Sequence, residues 1–137
     1  MSRTDLPLPI NPDGWKRGQG YAHGMHGRGR VVVTAGQIGW NPVTATVESD
    51  DFVSQAAQAL SNVMTVVRGA GGGPEHLVRL TWFITTRDEY LGAGAALGAA
   101  YRAVVGLHYP AMAVVVVSAL LDPRAKVEIE GMAVIPE

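Results

Sequence analysis

The sequence predicts an α+β fold, a sheet with two helices packed on one of its faces in the order ββαβαββ, built as a single domain over residues 1–137. Two observations predict it. Stretches rich in Val, Ile, Thr and aromatic residues recur near residues 30–35, 76–85, 111–117 and 126–134, and such side chains suit a pleated, half-buried surface. Between them stand two longer segments with helix signals, one periodic in its apolar residues and one opened by a capping motif.

Residues 1–20, rich in Pro, Gly and polar residues, read as an N-terminal arm that is irregular unless docked. Residues 21–25 and 30–35 read as a hairpin turning at His26-Gly-Arg-Gly29, with 36–40 continuing the second strand until Asn41-Pro42 breaks it. Asp50 or Asp51 can cap a helix whose apolar residues Phe52, Ala56, Leu60, Val63 and Val67 follow the 3.6-residue period, ending in the glycines from 69 to 73. A strand over 76–85 follows. Thr86 and Glu89 have the spacing of a capping box and open a second helix to about residue 105. Its glycines Gly92, Gly94 and Gly98 each cost about 1 kcal/mol relative to Ala, so close packing of that helix on the sheet is expected. Residues 109–118 and 126–134 form the last strand pair, joined by a Leu-Asp-Pro-Arg turn.

Eleven Lys and Arg against twelve Asp and Glu leave a net charge of −1, which argues against a broad nucleic-acid or membrane footprint. Without cysteine there is no disulfide framework, thiolate nucleophile or Cys-ligated metal. The start lacks the apolar core of a signal peptide, and the apolar run at 111–117 falls short of the ~20 residues that span a bilayer. A cytoplasmic protein is expected. Apolar residues reach 47% and charged ones only 17%, and Val114 to Val117 make both faces of their strand apolar. Both features predict cover from a partner, most economically another copy of the chain.

Few residues suggest chemistry by themselves. Gly92-Ala-Gly94-Ala-Ala-Leu-Gly98 imitates a dinucleotide fingerprint, but a capping motif separates it from the strand and no acidic residue follows at ribose-binding distance. His23 and His26 face opposite sides of an extended strand, which disfavours a metal pair. His108 lies in a loop between helix and strand, where site residues and plain polar residues both occur. Lys16, Arg17, Arg28 and Arg30 form the one local concentration of positive charge, readable as a small anion patch or a solvated edge. Trp15, Trp40 and Trp82 could floor a pocket or simply pack. Glu128 and Glu130 point to one face, about 7 Å apart, and Lys-Val-Glu-Ile-Glu suits an ordinary amphipathic strand as well as a site.

Several segments in order carry a resemblance: Tyr21; Val-Thr-Ala-Gly36-Gln37-Ile38 with Asn41-Pro42; Gln55, Gln58, Leu60 and Asn62; Tyr109-Pro-Ala-Met; and Val-Glu128-Ile-Glu130-Gly-Met-Ala-Val. Together they resemble the Rid family of YjgF-like proteins, whose best-known branch hydrolyses reactive imines and enamines. The resemblance implies a chorismate mutase-like mixed sheet and a homotrimer with a cleft at each subunit interface. It implies a cleft including Tyr21, Gly36, Gln37 and Trp40, with Glu128 activating water and Glu130 assisting by like-charge repulsion. It implies no metal and no organic cofactor, since an imine carbon is already electrophilic.

The departures from the family pattern are chemical. Where the deaminase branch follows its Pro-Ala pair with a carboxylate-clamping arginine, this chain has Met112, then Ala113. Gly94 stands at the position of an asparagine on the second helix, and Ala35 at that of a serine. A thioether offers only apolar contact where a guanidinium forms two charge-assisted bonds. The leading expectation is therefore an imine or enamine hydrolase whose substrate is larger or less anionic than a short 2-imino acid. The alternative is a non-catalytic trimer that binds a small metabolite in the same clefts. RNA cleavage has no basic stripe or aromatic platform to support it.

Overall fold

In the computed structural model, which describes residues 5–137, the predicted helical stripe sets the position of the core. Helix α1 (Phe52–Gly69) buries Phe52, Ala56, Leu60, Val63 and Val67, as the period requires, together with Ala59 and Met64. Asp51 caps it, its carboxylate accepting from the Ser54 N–H and the Ser54 hydroxyl, both at 2.9 Å. Those bonds hold the Asp51 carboxyl below its ordinary value of 3.8. The cap is thus at full strength above that pH and weakens as acid protonates it. After Ala70, Gly71 (φ 90°) takes the left-handed conformation that stops the helix.

In chain order the strands are β1 (Leu8–Ile10), β2 (Gly24–His26), β3 (Arg30–Val33), β4 (Gln37–Ile38), β5 (Trp40–Asn41), β6 (Thr46–Val47), β7 (Leu77–Ile84), β8 (Ala111–Val116) and β9 (Val127–Ile135). The main sheet runs β3-β9-β7-β8, with β4 also paired to β9. It is mixed: β7 and β8 are parallel, and β9 is antiparallel to β3, β4 and β7. Leu77, Leu80, Trp82 and Ile84 of β7 and Val127, Ile129 and Ala133 of β9 face α1 and α2 (Arg87–Val104), which cover one side. Each fully buried aliphatic side chain there contributes about 1.5–3 kcal/mol. Among the described residues, no helix is long and apolar enough to cross a membrane.

The opposite face is open. Val31 and Val33 are 65% and 64% exposed there, and Val114, Val115 and Val116 on edge strand β8 are 39–53% exposed on both of its sides. The valine run is thus doubly apolar, as expected, yet a single chain covers neither side.

Four local expectations give way. The last two strands do not pair with each other, since β7 lies between β8 and β9. The hairpin of residues 21–35 does not form: β2 pairs with β1 from the arm, and β3 pairs with the end of β9. Part of the arm is therefore docked, while its first four residues lie outside the described ones. Gly29 (φ 146°) explains the switch, because a Cβ there would lie 2.7 Å from the Ile135 carbonyl carbon, so the chain enters β3 pressed against β9. The capping box does not close either, since Thr86 makes no side-chain cap and Glu89 instead binds Lys126 Nζ at 3.2 Å. Finally, a Cβ added at Gly92 or Gly94 would meet no atom within 4 Å, and one at Gly98 would meet only Arg102. Close packing on the sheet does not account for them. Gly94 (φ 48°, ψ −123°) instead breaks the helix in a conformation open to glycine alone.

The β5–β6 turn holds a non-glycine residue in the left-handed region, Ala45 (φ 56°), with its N–H donating to Asn41 O at 2.8 Å. Ala45→Gly is expected to raise the unfolding free energy by about 0.5–1 kcal/mol by relieving that conformation. An unchanged or lower midpoint in chemical denaturation would show that the turn carries no such strain.

Candidate active site

Strand β9 alternates Val127, Ile129, Gly131 and Ala133 into the core with Glu128, Glu130 and Met132 on the open face. Glu128 is half-buried between its ladder partners Phe83 of β7 and Ile38 of β4, whereas Glu130, beside Thr81, is exposed. Among the described residues the Glu128 carboxylate has no hydrogen-bond or ion-pair partner. Lys126 does not neutralise it, because that ammonium is taken by Glu89. The carboxylate lies against the exposed backbone of Gly36, where a Cβ would fall 2.9 Å from Glu128 Cδ. Glycine at 36 therefore keeps the carboxylate in place and leaves bare backbone beside it.

Buried polar side chains hold this corner. Thr34 closes β3 onto β9, its N–H donating to Gly131 O at 2.9 Å and its Oγ1 accepting from the Gly131 N–H at 3.0 Å. Asn62, 5% exposed on α1, donates Nδ2 to Ile38 O (3.4 Å) and Trp40 O (3.0 Å) and accepts from Gln58 Nε2 at 2.8 Å. Gln55, 1% exposed, donates to Ser49 O and Arg124 O and accepts from the Lys126 N–H at 2.8 Å. One helix thus fixes both the segment carrying Gly36, Gln37 and Trp40 and the approach to Glu128. Gly39 allows this closeness, since a Cβ there would sit 2.5 Å from Gln55 Cα. In the sequence, Gln55 and Asn62 stand out only as points of resemblance. The signal for their role is two amides on the buried stripe of an apolar helix, which must find partners.

The other predicted residues lie elsewhere. Tyr21, 41% exposed, stands beyond β8, where Ala22 bridges Ala111 and its N–H donates to Pro110 O at 3.1 Å. Residues 111 and 115 are separated along β8, and only Val115 is level with Phe83 and Glu128. At about 3.3 Å per residue and 4.8 Å per strand, Tyr21 and Glu128 are roughly 19 Å apart within one chain. Met112 shares its register with Leu80 and packs on the core, so it occupies the face opposite Glu128. Gly94 is exposed on α2. His108 is a structural pin: its Nε2 meets Leu77 O at 2.7 Å, and its own carbonyl accepts from Tyr101 OH at 2.7 Å. Burial pushes the Tyr101 phenol pKa upward, so it stays a donor. Trp40 is half-buried with an indole N–H that has no partner among the described residues, and Trp82 is a core residue. His23 is likewise occupied, its Nε2 meeting Lys16 O at 2.8 Å.

Two cavities flank the arm. One of about 810 Å³ between the arm and the C-terminus contains none of the predicted site residues. The other, about 320 Å³, is lined by Tyr21 and His108 with Arg17, Leu107 and Tyr109. A single chain therefore brings Glu128 to Gly36 and the neighbouring Gln37–Trp40 segment, and keeps Tyr21, His108, Met112 and Gly94 apart from them.

A mixed sheet with two helices on one face and an unpaired carboxylate on the other defines a YjgF-like α+β protein. The chain belongs to the Rid family: the Endoribonuclease L-PSP family model matches residues 16–135. It is 36% identical to the 2-iminobutanoate/2-iminopropanoate deaminase of Escherichia coli K12, over 98% of each chain. Among solved structures it is similar to the Rid-family protein YyfB from Yersinia pestis (TM-score 0.83, 30% identity, 95% of this chain and 99% of that one). It is also similar to E. coli TdcF with bound serine (TM-score 0.66, 29% identity, 98% and 97%).

Asn62→Ala strips two buried carbonyls of their donor and is expected to cost about 1–3 kcal/mol in chemical denaturation. A loss under about 0.5 kcal/mol, the range of ordinary surface substitutions, would mean that water reaches both carbonyls and that Asn62 does not hold the Gly36 segment.

Proposed function

We propose that the protein hydrolyses a reactive imine or enamine to a carbonyl compound and ammonia, with Glu128 as the general base. The observation that carries this reading is the half-buried, partnerless Glu128 carboxylate set against Gly36, in a chain that aligns end to end with an imine deaminase. Glu128 holds a water and takes its proton as the oxygen attacks the C=N carbon. That proton passes to nitrogen to give a carbinolamine. Glu128 then takes the remaining hydroxyl proton and delivers it to nitrogen as the C–N bond breaks, so that the carbonyl forms, ammonia leaves and the carboxylate is regenerated. Backbone donors near Gly36 and Gln37 would polarise the substrate. An imine carbon is electrophilic enough that neither metal nor organic cofactor is required. A cytoplasmic location accompanies this reading, because short-lived imines must be met where they are formed.

Position 112 bears on the substrate only through the anchor it does not supply. Met112 cannot hold a carboxylate by a bidentate fork, so a short 2-imino acid loses its anchor and a larger substrate, or one less anionic near the reacting carbon, is favoured. The active unit is a homotrimer. Tyr21 and Glu128 are too far apart in one chain to meet one small molecule, and the exposed valines of the open face and of β8 supply an apolar surface for subunit contact. Each cleft would then combine Glu128 of one subunit with Tyr21 of the next.

Release of carbonyl product from freshly generated imines tests the chemistry, with a short 2-imino acid beside a bulky aromatic one. Glu128→Gln should slow turnover of the bulky substrate by about 10²–10⁴-fold, the usual worth of a general base. Unchanged turnover would remove Glu128 from the mechanism, and no turnover of either substrate would favour a non-catalytic metabolite-binding trimer. A second measurement addresses the shared cleft. Mixed oligomers of inactive Glu128→Gln and Tyr21→Ala chains should regain roughly a quarter of the sites, since random pairing in a cyclic trimer restores one interface in four. No recovery would overturn the shared cleft.

A further inference from the structure

The cavity beside Tyr21 has a chemical character that the reaction alone does not explain. Pro7, Pro9, Leu107 and Tyr109 supply its apolar walls beside an equal polar surface, and among the described residues no Asp or Glu lines it. Two of its polar side chains are engaged: Asn11 Oδ1 accepts from the His23 N–H at 3.2 Å, and His108 is held by Leu77 O. Arg17, exposed to solvent, is the one Arg or Lys among the lining residues. Among the described residues its guanidinium has no hydrogen-bond or ion-pair partner, whereas Arg30 is tied to Ala70 O and Arg124 to Asp50.

The loop that carries Arg17 also brings an aromatic ring to the cavity. Gly18 lies directly against Tyr21, where a Cβ would fall 2.7 Å from Tyr21 Cε1, and Gly20 (φ 76°) turns the chain back. The Tyr21 ring also meets His23 edge-on, with centroids 5.5 Å apart. Arg17 and Tyr21 are therefore brought to one wall by a turn that tolerates no side chain at 18. A planar guanidinium with no counter-ion, beside aromatic and aliphatic surface, matches a flat carboxylate: two charge-assisted bonds to the anion, and ring contact to the group that bears it.

We propose that this cavity is a carboxylate subsite in which Arg17 binds the acid group of an aromatic or conjugated substrate, at the end remote from the reacting C=N carbon. Arg17 then supplies the anion recognition that position 112 lacks, but from a different element and at a greater reach. This explains how a site with methionine at 112 selects a larger substrate while still recognising a charge. The substrate assignment rests on the proposed hydrolysis, while binding to the subsite does not.

Titration of the whole protein with benzoate, followed by calorimetry or NMR, tests this directly. Benzoate should bind the unaltered protein and Glu128→Gln alike, and Arg17→Ala should weaken binding about 10- to 100-fold, the range for loss of a hydrogen bond to a charged group. Arg17→Lys, which keeps the charge without the fork, should fall between them. Benzamide and cyclohexanecarboxylate should both bind more weakly than benzoate, the first for lack of charge and the second for lack of a flat ring. Benzoate binding that is absent, or that Arg17→Ala leaves unchanged, overturns the proposal, and so does equal competition by inorganic phosphate, which would mark a nonspecific anion patch. The two readings fail separately. Glu128-dependent turnover with Arg17-independent binding would sink only the subsite, and Arg17-dependent binding without turnover of any imine would sink only the hydrolase.

Discussion

The register of β9 is the constraint on which the rest of the structure depends. This strand pairs with β3 and β4 on one side and β7 on the other, and its side chains alternate between the helix-covered core and the open face. Because that period is two residues, a slip of one would drive Glu128 and Glu130 into the core and expel Val127, Ile129 and Ala133. Burying two unpaired carboxylates is far costlier than any gain from a shifted ladder. The pairing that builds the core therefore also presents the acids. Fold and site share a single cause, and Gly131, against which the Thr34 side chain closes, helps lock it.

From β9 the organisation spreads through two amides on α1. Gln55 and Asn62 sit on a helix face that is otherwise apolar, and each satisfies backbone groups that would be stranded where the chain leaves the sheet at residues 38–40 and 124–126. Such groups have no regular ladder to join, so side chains must serve them. The result is a rigid corner in which the Gly36 backbone can lie against a carboxylate. The Arg17–Tyr21 loop, by contrast, is attached at the far edge of the sheet through the Ala22–Ala111 bridge and by the docked arm. In the proposed reading these corners are two half-sites on opposite parts of one sheet, with a surface of exposed valines between them. In the proposed trimer that surface brings the half-sites of different subunits together, which couples activity to assembly.

Where local signals failed, a nonlocal partner outcompeted them. Thr86 and Glu89 have capping-box spacing, but Glu89 is within reach of Lys126, and an ion pair 37 positions away in sequence displaced the local bond. The turn at residues 26–29 could close a hairpin, but β3 pairs with β9 and β2 accepts the arm instead. Glycines at 92 and 94 suggested close packing, whereas one of them breaks the helix and neither touches the sheet. For the capping motif and the hairpin, the energy that decided the outcome came from residues no local window contains, whereas the break at Gly94 lies in its own backbone conformation.

The sequence by itself determined the elements and their faces: the α1 stripe, the Asp51 cap, the β7 and β9 alternations, the doubly apolar β8, and Glu128 and Glu130 on one side. These follow from periodicity and capping, which act over a few residues and are legible wherever the chain is read. The family likewise was written in the order of short motifs along the chain. Only the tertiary structure decided that Glu128 lies against Gly36 without a partner among the described residues, that Met112 faces away from it, and that Arg17 and Tyr21 line one cavity. Those facts depend on which strands become neighbours and on what fills the space between them, and contacts between residues tens of positions apart are set by the packing of the whole sheet.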